Sequence, residues 1–199
     1  MSFPARYEDI VARIDHIDPV AYGRTRNYLD GAVTRLSPYI SRGVISTRQV
    51  MNRVLDRGYN PARIEKFLQE LAWRDYWQQV WVALGEGINY DLRRPQEQVE
   101  HWVMPKAVAE AATGIDAVDA GIRELYDTGY MHNHLRMYLA AITCNIGRSH
   151  WRTPAQWMYY HLLDGDWASN ALSWQWVAGT NSRRKYIANQ DNINKFCHT

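Results

Sequence analysis

The sequence predicts an all-α fold, and three observations lead to this prediction. Apolar residues recur every three or four positions along most of the 199 residues, whereas no stretch alternates for long enough to indicate a sheet. Residues that start and end helices punctuate the pattern, and apolar residues make up 46% of the chain, which is enough for a packed core. Because no internal repeat or linker interrupts the pattern, we expect one domain over residues 1–199.

The first half of the chain contains three predicted helices. Ser37 and Pro38 are typical of an N-cap followed by proline at the first helical position. Ser46 is expected to start a second helix, which ends at Gly58. Residues 62–84 carry the strongest helical pattern. Within it a glutamate shares a stripe with three tryptophans, namely Glu70, Trp73, Trp77 and Trp81.

The second half adds further predicted helices before an irregular tail. Thr113 begins a pattern similar to a capping box, with an aspartate three residues later, and Gly129 is expected to end that helix. The helix predicted over about 131–147 should bury a face made of Leu135, Leu139, Ile142 and Ile146. A helix capped at Thr153 follows, and we expect irregular structure from about Gly179.

Charge, cysteine content and hydropathy limit the classes of protein that fit. The formal charge of +2 neither requires nor excludes a polyanionic partner, because a local patch matters more than the sum. The two cysteines, Cys144 and Cys197, are too few for a four-cysteine cluster and make a disulfide framework unexpected. We find no leader-type apolar segment and no run of about 18 apolar residues, so we expect a soluble cytoplasmic protein without a membrane partner.

Motifs of hydrolytic, nucleotide-binding and metal chemistry are missing. The chain has no phosphate loop, no GxGxxG and no GxSxG nucleophile turn. His132 and His134 are two residues apart in a predicted helix, so they point in different directions and make a poor metal pair. We therefore expect no metal site and a structural role for both histidines.

A set of polar residues occupies helix faces where a core needs apolar ones. The segment DGDWASNALSWQW at 164–176 combines two acids, an amide and two tryptophans. The chain has 9 Trp and 13 Tyr but 3 Phe, which favours stacking against a planar ligand, although an aromatic-rich core is an equal alternative. A solvated face for Glu70, and an Arg136–Asp164 ion pair that simply joins two helices, also stay open.

These stretches resemble the flavin domain of DNA photolyases and cryptochromes. The matching blocks, in the family's order, are VTRLSPYISRGVIS (33–46), ELAWRDYW (70–77), TGIDAVDAGIRELYDTGYMHNHLRM (113–137) and DGDWASNALSWQW (164–176). The resemblance implies a helical domain that holds a buried, U-shaped FAD. The family's N-terminal α/β antenna domain has no counterpart in this sequence, so we expect no second antenna chromophore. The family's C-terminal helices are expected to be short or missing, or the chain is cut before them.

The resemblance also assigns the residues that should hold FAD. Tyr22 and the loop at 34–37, where the first predicted helix starts, would grip the pyrophosphate and ribityl groups. The Arg136–Asp164 pair would lie beside the isoalloxazine, and Asn170 would face flavin N5. The expected FAD-binding residues are Tyr22, Thr34, Arg35, Leu36, Ser37, Arg136, Asp164, Gly165, Asp166 and Asn170. Val33 stands where the family usually has threonine, which removes one hydroxyl contact.

A second set resembles the pocket that holds a cyclobutane pyrimidine dimer: Glu70, Trp73, Asn133, Met137 and Trp176. Flat indole walls suit a flipped-out dimer. A Glu70 side chain protonated by burial would donate to a thymine carbonyl. Methionine at position 137, where (6-4) photolyases have histidine, favours cyclobutane dimers as the substrate.

Trp174 and Trp151 match the first two members of the family's electron-transfer chain to the flavin. The third family position falls near Gln98, with Trp102 as a nearby candidate and a tyrosine as an alternative. Glu70, Trp174, Trp151 and Asn170 are therefore the expected catalytic residues.

The resemblance makes damaged DNA the expected partner. His134 stands where many photolyases have an arginine that grips the lesion phosphate. The basic run Arg183, Arg184 and Lys185 either compensates for this change or is a solvated loop. A weaker grip on duplex favours single strands, from which a lesion flips out at lower cost.

We therefore expect an FAD-dependent, blue-light-driven deoxyribodipyrimidine photolyase. The first alternative is a cryptochrome-like light or redox photoreceptor without repair activity. The second alternative is a partial domain that binds flavin poorly.

Overall fold

The computed structural model describes residues 3–197 and is helical, as the sequence predicts. Its helices are α1 (Tyr7–Asp15), α2 (Pro19–Thr25), α3 (Ser37–Ser41), α4 (Thr47–Leu55), α5 (Glu65–Leu84), α6 (Lys106–Ala109), α7 (Asp116–Thr128), α8 (Asn133–Ala141), α9 (Arg152–His161), α10 (Trp167–Ala178) and α11 (Gln190–Cys197). Short 3-10 turns cover Pro61–Arg63 and Gly85–Asn89, and a π-helical turn covers Ile142–Ile146. Across residues 3–197 no strand forms, and none of the helices found there is both long and apolar enough to cross a bilayer.

The chain divides into two compact units, and the boundary lies within α5, between Gln79 and Val80. The first unit has a core in which buried side chains of α1, α4 and α5 meet, among them Ile14, Val54 and Phe67. In the second unit, α10 packs against α8 and α9. Whether the two units together make the one domain predicted from the sequence stays a prediction.

Of the two helix caps predicted in the first unit, one is confirmed and one is shifted. The Ser46 hydroxyl accepts a hydrogen bond from the Gln49 N–H at 3.0 Å, which confirms the predicted cap of α4. The prediction that Ser37 caps α3 is wrong by one residue. The Leu36 carbonyl already accepts from the N–H groups of Tyr39 and Ile40, so Leu36 occupies the N-cap position and Ser37 lies inside the helix.

In the second unit the predicted end of α7 is confirmed, but two helix starts are shifted. Gly129 ends α7 with φ +70°, a left-handed conformation that glycine adopts without strain. The Thr113 hydroxyl bonds Asp119 at 2.6 Å instead of capping the helix, and α7 begins only at Asp116. The last predicted cap, Thr153, is also wrong, because α9 begins at Arg152.

The predictions for the ends of α8 and of the chain are wrong as well. After Ala141 the backbone widens into the π-helical turn, which changes the rotation per residue. Ile146 therefore leaves the expected buried face and is 61% exposed. The tail predicted to be irregular contains α11, which buries Ile193 and Cys197 on one side.

Candidate functional site

The turn Asp164-Gly165-Asp166 links α9 to α10 and depends on its glycine. A Cβ on Gly165 would lie 3.0 Å from the Tyr159 carbonyl oxygen and 3.1 Å from that of Leu162. The Gly165 N–H donates to the same Leu162 oxygen at 3.1 Å. Close packing of the turn on the end of α9 thus explains why a glycine separates the two acids. The same packing fixes the backbone from which the two acidic side chains project.

Arg136 and Asp164 form a buried ion pair. One guanidinium nitrogen, Nη2, donates to both carboxylate oxygens of Asp164 at 3.0 Å, and the two side chains are 19% and 6% exposed. Arg136 Nε donates to the Met131 carbonyl at 2.8 Å, which holds the guanidinium in place. Charges that are buried this deeply need partners, so this pair fixes α8 to the turn before α10.

The first turn of α10 presents polar groups in fixed orientations. Asp166 caps the helix by accepting from the Ser169 N–H at 2.8 Å. Asn170 Nδ2 donates to the Ala155 carbonyl at 2.7 Å, which assigns the amide orientation and leaves Oδ1 to accept from another donor. The Ser169 hydroxyl is buried and has no hydrogen-bond partner among residues 3–197.

This arrangement suits a polar, planar ligand such as a flavin. The orphaned Ser169 hydroxyl, the Asn170 carbonyl oxygen and the buried Arg136–Asp164 pair supply donors and acceptors within one unit. A buried hydroxyl without a partner is costly in a finished core, and a bound polar group removes that cost. The residues present in the second unit therefore fit the cofactor that the sequence predicts.

Trp174 and Trp151 are buried, with 2% and 0% of their surface exposed. Trp151 Nε1 donates to Asp91 Oδ1 at 2.6 Å, so the indole N–H is satisfied inside the protein. The same carboxylate oxygen lies 3.2 Å from His150 Nε2. Sequence analysis missed Asp91 and His150, because nothing in the local spacing links residues that are about 60 positions apart.

The two candidates for the third electron-transfer position differ in the structure. Gln98 has a left-handed backbone with φ +60°, and its side chain accepts from Lys185 Nζ at 3.4 Å. Trp102 stacks on His150, with ring centroids 4.2 Å apart and planes 17° apart, and is 67% exposed. The aromatic contacts next to Trp151 therefore run through His150 to Trp102.

The flavin residues predicted near the N-terminus lie in the first unit. Tyr22 packs edge-on against Phe67, with ring centroids 5.3 Å apart. Arg35 has φ +53°, a left-handed conformation that a non-glycine residue adopts only under strain and that often marks a functional loop. Thr34 Oγ1 accepts from the Leu36 N–H at 3.4 Å, and Leu36 itself is buried in the core of this unit. The Leu36 side chain is thus a packing group, and any contact with a cofactor there would use its backbone.

Glu70 is not buried in the way that the sequence analysis assumes. Its side chain is 32% exposed, and Oε1 lies 3.0 Å from Lys66 Nζ and 3.4 Å from Arg26 Nε. The Glu70 side chain is therefore partly exposed and paired with two cations, which agrees with the solvated alternative left open by the sequence. Its place in the lesion set stays a prediction.

One face of α5 in the first unit is aromatic and accessible. Trp73 stacks on Trp77 with centroids 5.1 Å apart and meets Tyr76 edge-on at 5.5 Å. Trp73 and Tyr76 are 47% and 52% exposed. We call these three residues the α5 aromatic face. Large aromatic rings are usually buried, so an accessible group of them on one helix face is unusual. It indicates a surface on which a planar ligand can stack.

The rest of the predicted lesion set lies in the second unit. Asn133 and Met137 are one turn apart on α8 and therefore share a face of that helix, with Asn133 exposed and Met137 half-buried. Trp176, near the end of α10, is 42% exposed and lies against the Tyr186 ring at 5.7 Å. The structure thus shows Glu70 with Trp73 in one unit, and Asn133, Met137 and Trp176 in the other.

His132 and His134 have the structural roles that the sequence predicts. His132 Nδ1 accepts from the His134 N–H at 3.2 Å and so caps α8. His134 Nε2 lies 2.8 Å from the Tyr138 hydroxyl, and Phe196 of α11 packs beside the His134 ring. Burial raises the pKa of the Tyr138 hydroxyl above its usual range. Among residues 3–197, no group of three acidic, histidine or cysteine side chains is placed to hold a metal ion.

Comparison with known proteins places the chain in a family. The family described as the FAD binding domain of DNA photolyase matches residues 67–197. A deoxyribodipyrimidine photo-lyase of Streptomyces griseus is 34% identical over 169 residues, which are 79% of this chain and 36% of that protein. A cryptochrome DASH of Natronomonas pharaonis is 33% identical over 200 residues, which are 92% of this chain and 40% of that protein.

Solved structures agree with this family. A bacterial class III photolyase from Agrobacterium tumefaciens superimposes with a TM-score of 0.78 at 27% identity, over 96% of this chain and 42% of that one. A cryptochrome from Synechocystis sp. PCC6803 gives a TM-score of 0.83 at 25% identity, over 98% of this chain and 44% of that one.

These similarities first identify the class of protein, which is a helical domain that binds a flavin. The chain belongs to the DNA photolyase/cryptochrome family, and the cofactor of its domain is FAD. It spans about a third of the length of the curated photo-lyases that it matches. Tyr22 and residues 34–37 precede the stretch that the family description matches.

Proposed function

We propose that this chain is the FAD- and lesion-binding part of a light-driven DNA photolyase that repairs cyclobutane pyrimidine dimers. The observation that carries the proposal is the exposure of two indoles, Trp73 at 47% and Trp176 at 42%. Each is supported from behind by another ring, Trp77 for the first and Tyr186 for the second. Supported, accessible indoles are the surfaces on which unstacked bases bind.

Each residue of the lesion set has a separate task in this proposal. Trp73 and Trp176 stack against the bases of the flipped-out dimer. Asn133 hydrogen-bonds a base edge from its exposed position, while Met137 supplies an apolar contact. Glu70, held by Lys66 and Arg26, accepts hydrogen bonds from the N–H groups of the dimer.

The flavin-binding residues hold the cofactor in this proposal. The Arg136–Asp164 pair and Asn170 Oδ1 orient its ring, and the 34–37 loop holds its phosphate and ribityl groups. When bound, FAD supplies light absorption and one-electron transfer to the dimer. Trp174 and Trp151 carry electrons from the protein to keep the cofactor reduced, which their burial supports.

The proposed preference for single-stranded DNA rests on His134. Its ring is 9% exposed and engaged by Tyr138, so it does not replace a phosphate-binding arginine at the surface. Fewer phosphate contacts weaken binding to duplex. A single strand lowers the cost of flipping the lesion out.

The test is repair of oligonucleotides that carry one thymine dimer. The full chain, loaded with FAD and chemically reduced, should remove the dimer under blue light and not in the dark, and faster from single strands than from duplex. Trp176→Ala should abolish most of this activity, whereas Trp81→Phe, a change outside the site, should not. Absence of dimer loss from both substrates would contradict the proposal.

A second candidate function is a cryptochrome-like photoreceptor without repair. It is favoured by the relative named cryptochrome DASH, which matches 92% of the chain, and by the accessible aromatic stack at Trp102. Light-driven reduction of the flavin without dimer loss would favour this second candidate.

A further inference from the structure

Asp91 lies at the centre of a hydrogen-bonded cluster that the proposed repair function does not use. Its Oδ1 accepts from Trp151 Nε1 at 2.6 Å and lies 3.2 Å from His150 Nε2. Its Oδ2 accepts from the Gln96 N–H at 2.8 Å. The carboxylate is 20% exposed and is therefore held in one orientation beside an indole that has no access to solvent.

The tautomer of the neutral His150 ring follows from its two hydrogen-bond partners, Arg152 and Asp91. The Arg152 N–H donates to His150 Nδ1 at 3.3 Å, so the proton of a neutral ring lies on Nε2 and points to Asp91. Burial lowers the pKa of His150, although the Asp91 carboxylate opposes this shift. A neutral His150 thus donates its Nε2–H to Asp91 Oδ1.

Three aromatic rings connect this buried cluster to the surface. Trp151 and His150 have ring centroids 5.7 Å apart, and His150 stacks on Trp102 at 4.2 Å. The Thr153 hydroxyl donates to the Trp102 carbonyl at 2.9 Å, and the Ser149 hydroxyl donates to the next carbonyl, that of Val103, at 2.6 Å. These bonds fix the segment that carries Trp102, whose indole is 67% exposed.

We propose that Asp91, His150 and Trp102 form the outer end of an electron and proton path that starts at Trp151. This inference rests on the proposed photoreduction through Trp174 and Trp151. When Trp151 gives an electron toward light-excited oxidised FAD by way of Trp174, its Nε1–H bond breaks and the proton moves to Asp91 Oδ1. A neutral indolyl radical remains.

The path then returns Trp151 to its starting state. Trp102 supplies an electron across the His150 ring, and the proton moves back from Asp91 to Nε1. Oxidised Trp102 releases its own proton to solvent, and a dissolved thiol restores it by giving up one electron and one proton. The charges balance over the whole cycle, because Trp174 only relays an electron, Trp151 and Trp102 each lose one proton with their electron, and both tryptophans regain one of each.

Burial explains why the proton must move. A cationic indole at a fully enclosed position has no water to stabilise it, and such a charge is costly. A carboxylate at 2.6 Å from Nε1 removes that charge by taking the proton. At the surface, Trp102 has water for the same purpose, so the oxidised state is more stable there.

The test compares the FAD-loaded wild type with Trp102→Phe, Asp91→Asn and the control Trp81→Phe, which removes another partly exposed indole. Flash absorption records the tryptophan radical itself, in H2O and D2O and over a series of thiol concentrations. Asn at position 91 still accepts from the Trp151 N–H but does not take its proton. Thermal unfolding verifies that each variant folds.

We expect Trp102→Phe to slow photoreduction about tenfold and to remove the dependence of the radical's decay on thiol. Asp91→Asn should leave the Trp151 radical in its cationic form and abolish the difference between H2O and D2O in the rate at which that radical becomes neutral. The control should match the wild type. Wild-type photoreduction in Trp102→Phe, or a neutral Trp151 radical formed at the wild-type rate in Asp91→Asn, would overturn the inference.

Failure of this inference and failure of the repair proposal are distinguishable. Repair by chemically reduced wild type needs no electron from Trp151 and tests the repair proposal separately. If repair is absent but photoreduction still depends on Trp102, the repair proposal fails and the electron path stands. If Trp151→Phe photoreduces like the wild type, the electron path and this inference are both wrong.

Discussion

The α5 aromatic face of the first unit and the buried tryptophans of the second unit use the same side chain in opposite ways. Trp73 is 47% exposed and contacts other rings, whereas Trp151 is fully buried and bonds Asp91 through its N–H. An indole that is open to solvent provides a flat surface for stacking. An enclosed indole with a proton acceptor is suited to carrying charge. The same residue type is therefore suited to stacking or to electron transfer according to its burial.

The acids of the two units differ in the same way. Glu70 is 32% exposed and lies near two cations, while Asp164 is 6% exposed and is held by Arg136. The buried Arg136–Asp164 pair should therefore contribute to stability as well as to the cofactor site. The partly exposed Glu70 should contribute mainly to ligand binding. This contrast leads to four predictions.

The largest effect is expected from Asp164→Ala. It leaves the Arg136 guanidinium buried without its carboxylate, which should lower the free energy of unfolding by about 3–5 kcal/mol and release FAD. Urea unfolding and the flavin-to-protein absorbance ratio measure the two effects. Asp15→Ala removes an exposed carboxylate paired with Arg53 and should leave both quantities nearly unchanged. Equal losses in the two variants would break the comparison.

A smaller loss is expected from Asn170→Asp. The new carboxylate would place an oxygen against the Ala155 carbonyl, which now accepts from Asn170 Nδ2 at 2.7 Å. We expect the free energy of unfolding to fall by about 2 kcal/mol, because a buried acceptor loses its donor. Asn194→Asp on α11 is the exposed control and should have little effect on unfolding. Wild-type stability of Asn170→Asp would show that the amide orientation is wrong.

Trp73→Ala should affect binding more than stability. Loss of one stacking surface should weaken binding of dimer-containing oligonucleotides by about 1–2 kcal/mol. Fluorescence anisotropy with labelled single strands measures the affinity, and thermal unfolding should change little, because the indole is already half-exposed. A large loss of stability with unchanged affinity would place Trp73 in the core instead.

The smallest effect is expected from Lys66→Ala. Its pair with Glu70 is partly exposed, at 39% and 32%, so the free energy of unfolding should change by less than about 0.5 kcal/mol. Chemical denaturation in low and high salt measures this change. A loss similar to that of Asp164→Ala would mean that Glu70 is not a solvent-accessible acid.

Much of the molecule follows from the sequence alone. Apolar spacing predicts the helices, Ser46 and Gly129 predict two of their ends, and the motif blocks predict the family and FAD. These features are local, since a cap, a helix face or a motif depends on residues a few positions apart.

Other features were decided by the tertiary structure. The exposure of Ile146 contradicts the sequence pattern. The pattern left the exposure of Glu70 open, and it did not show that His134 packs against Tyr138 and Phe196 or that Asp91 bonds Trp151. Each depends on which elements pack together, and no local spacing records a contact between residues far apart in the chain. The sequence therefore determines which chemical groups this protein has and which helices carry them, and packing decides which of them are exposed to solvent, charged or paired.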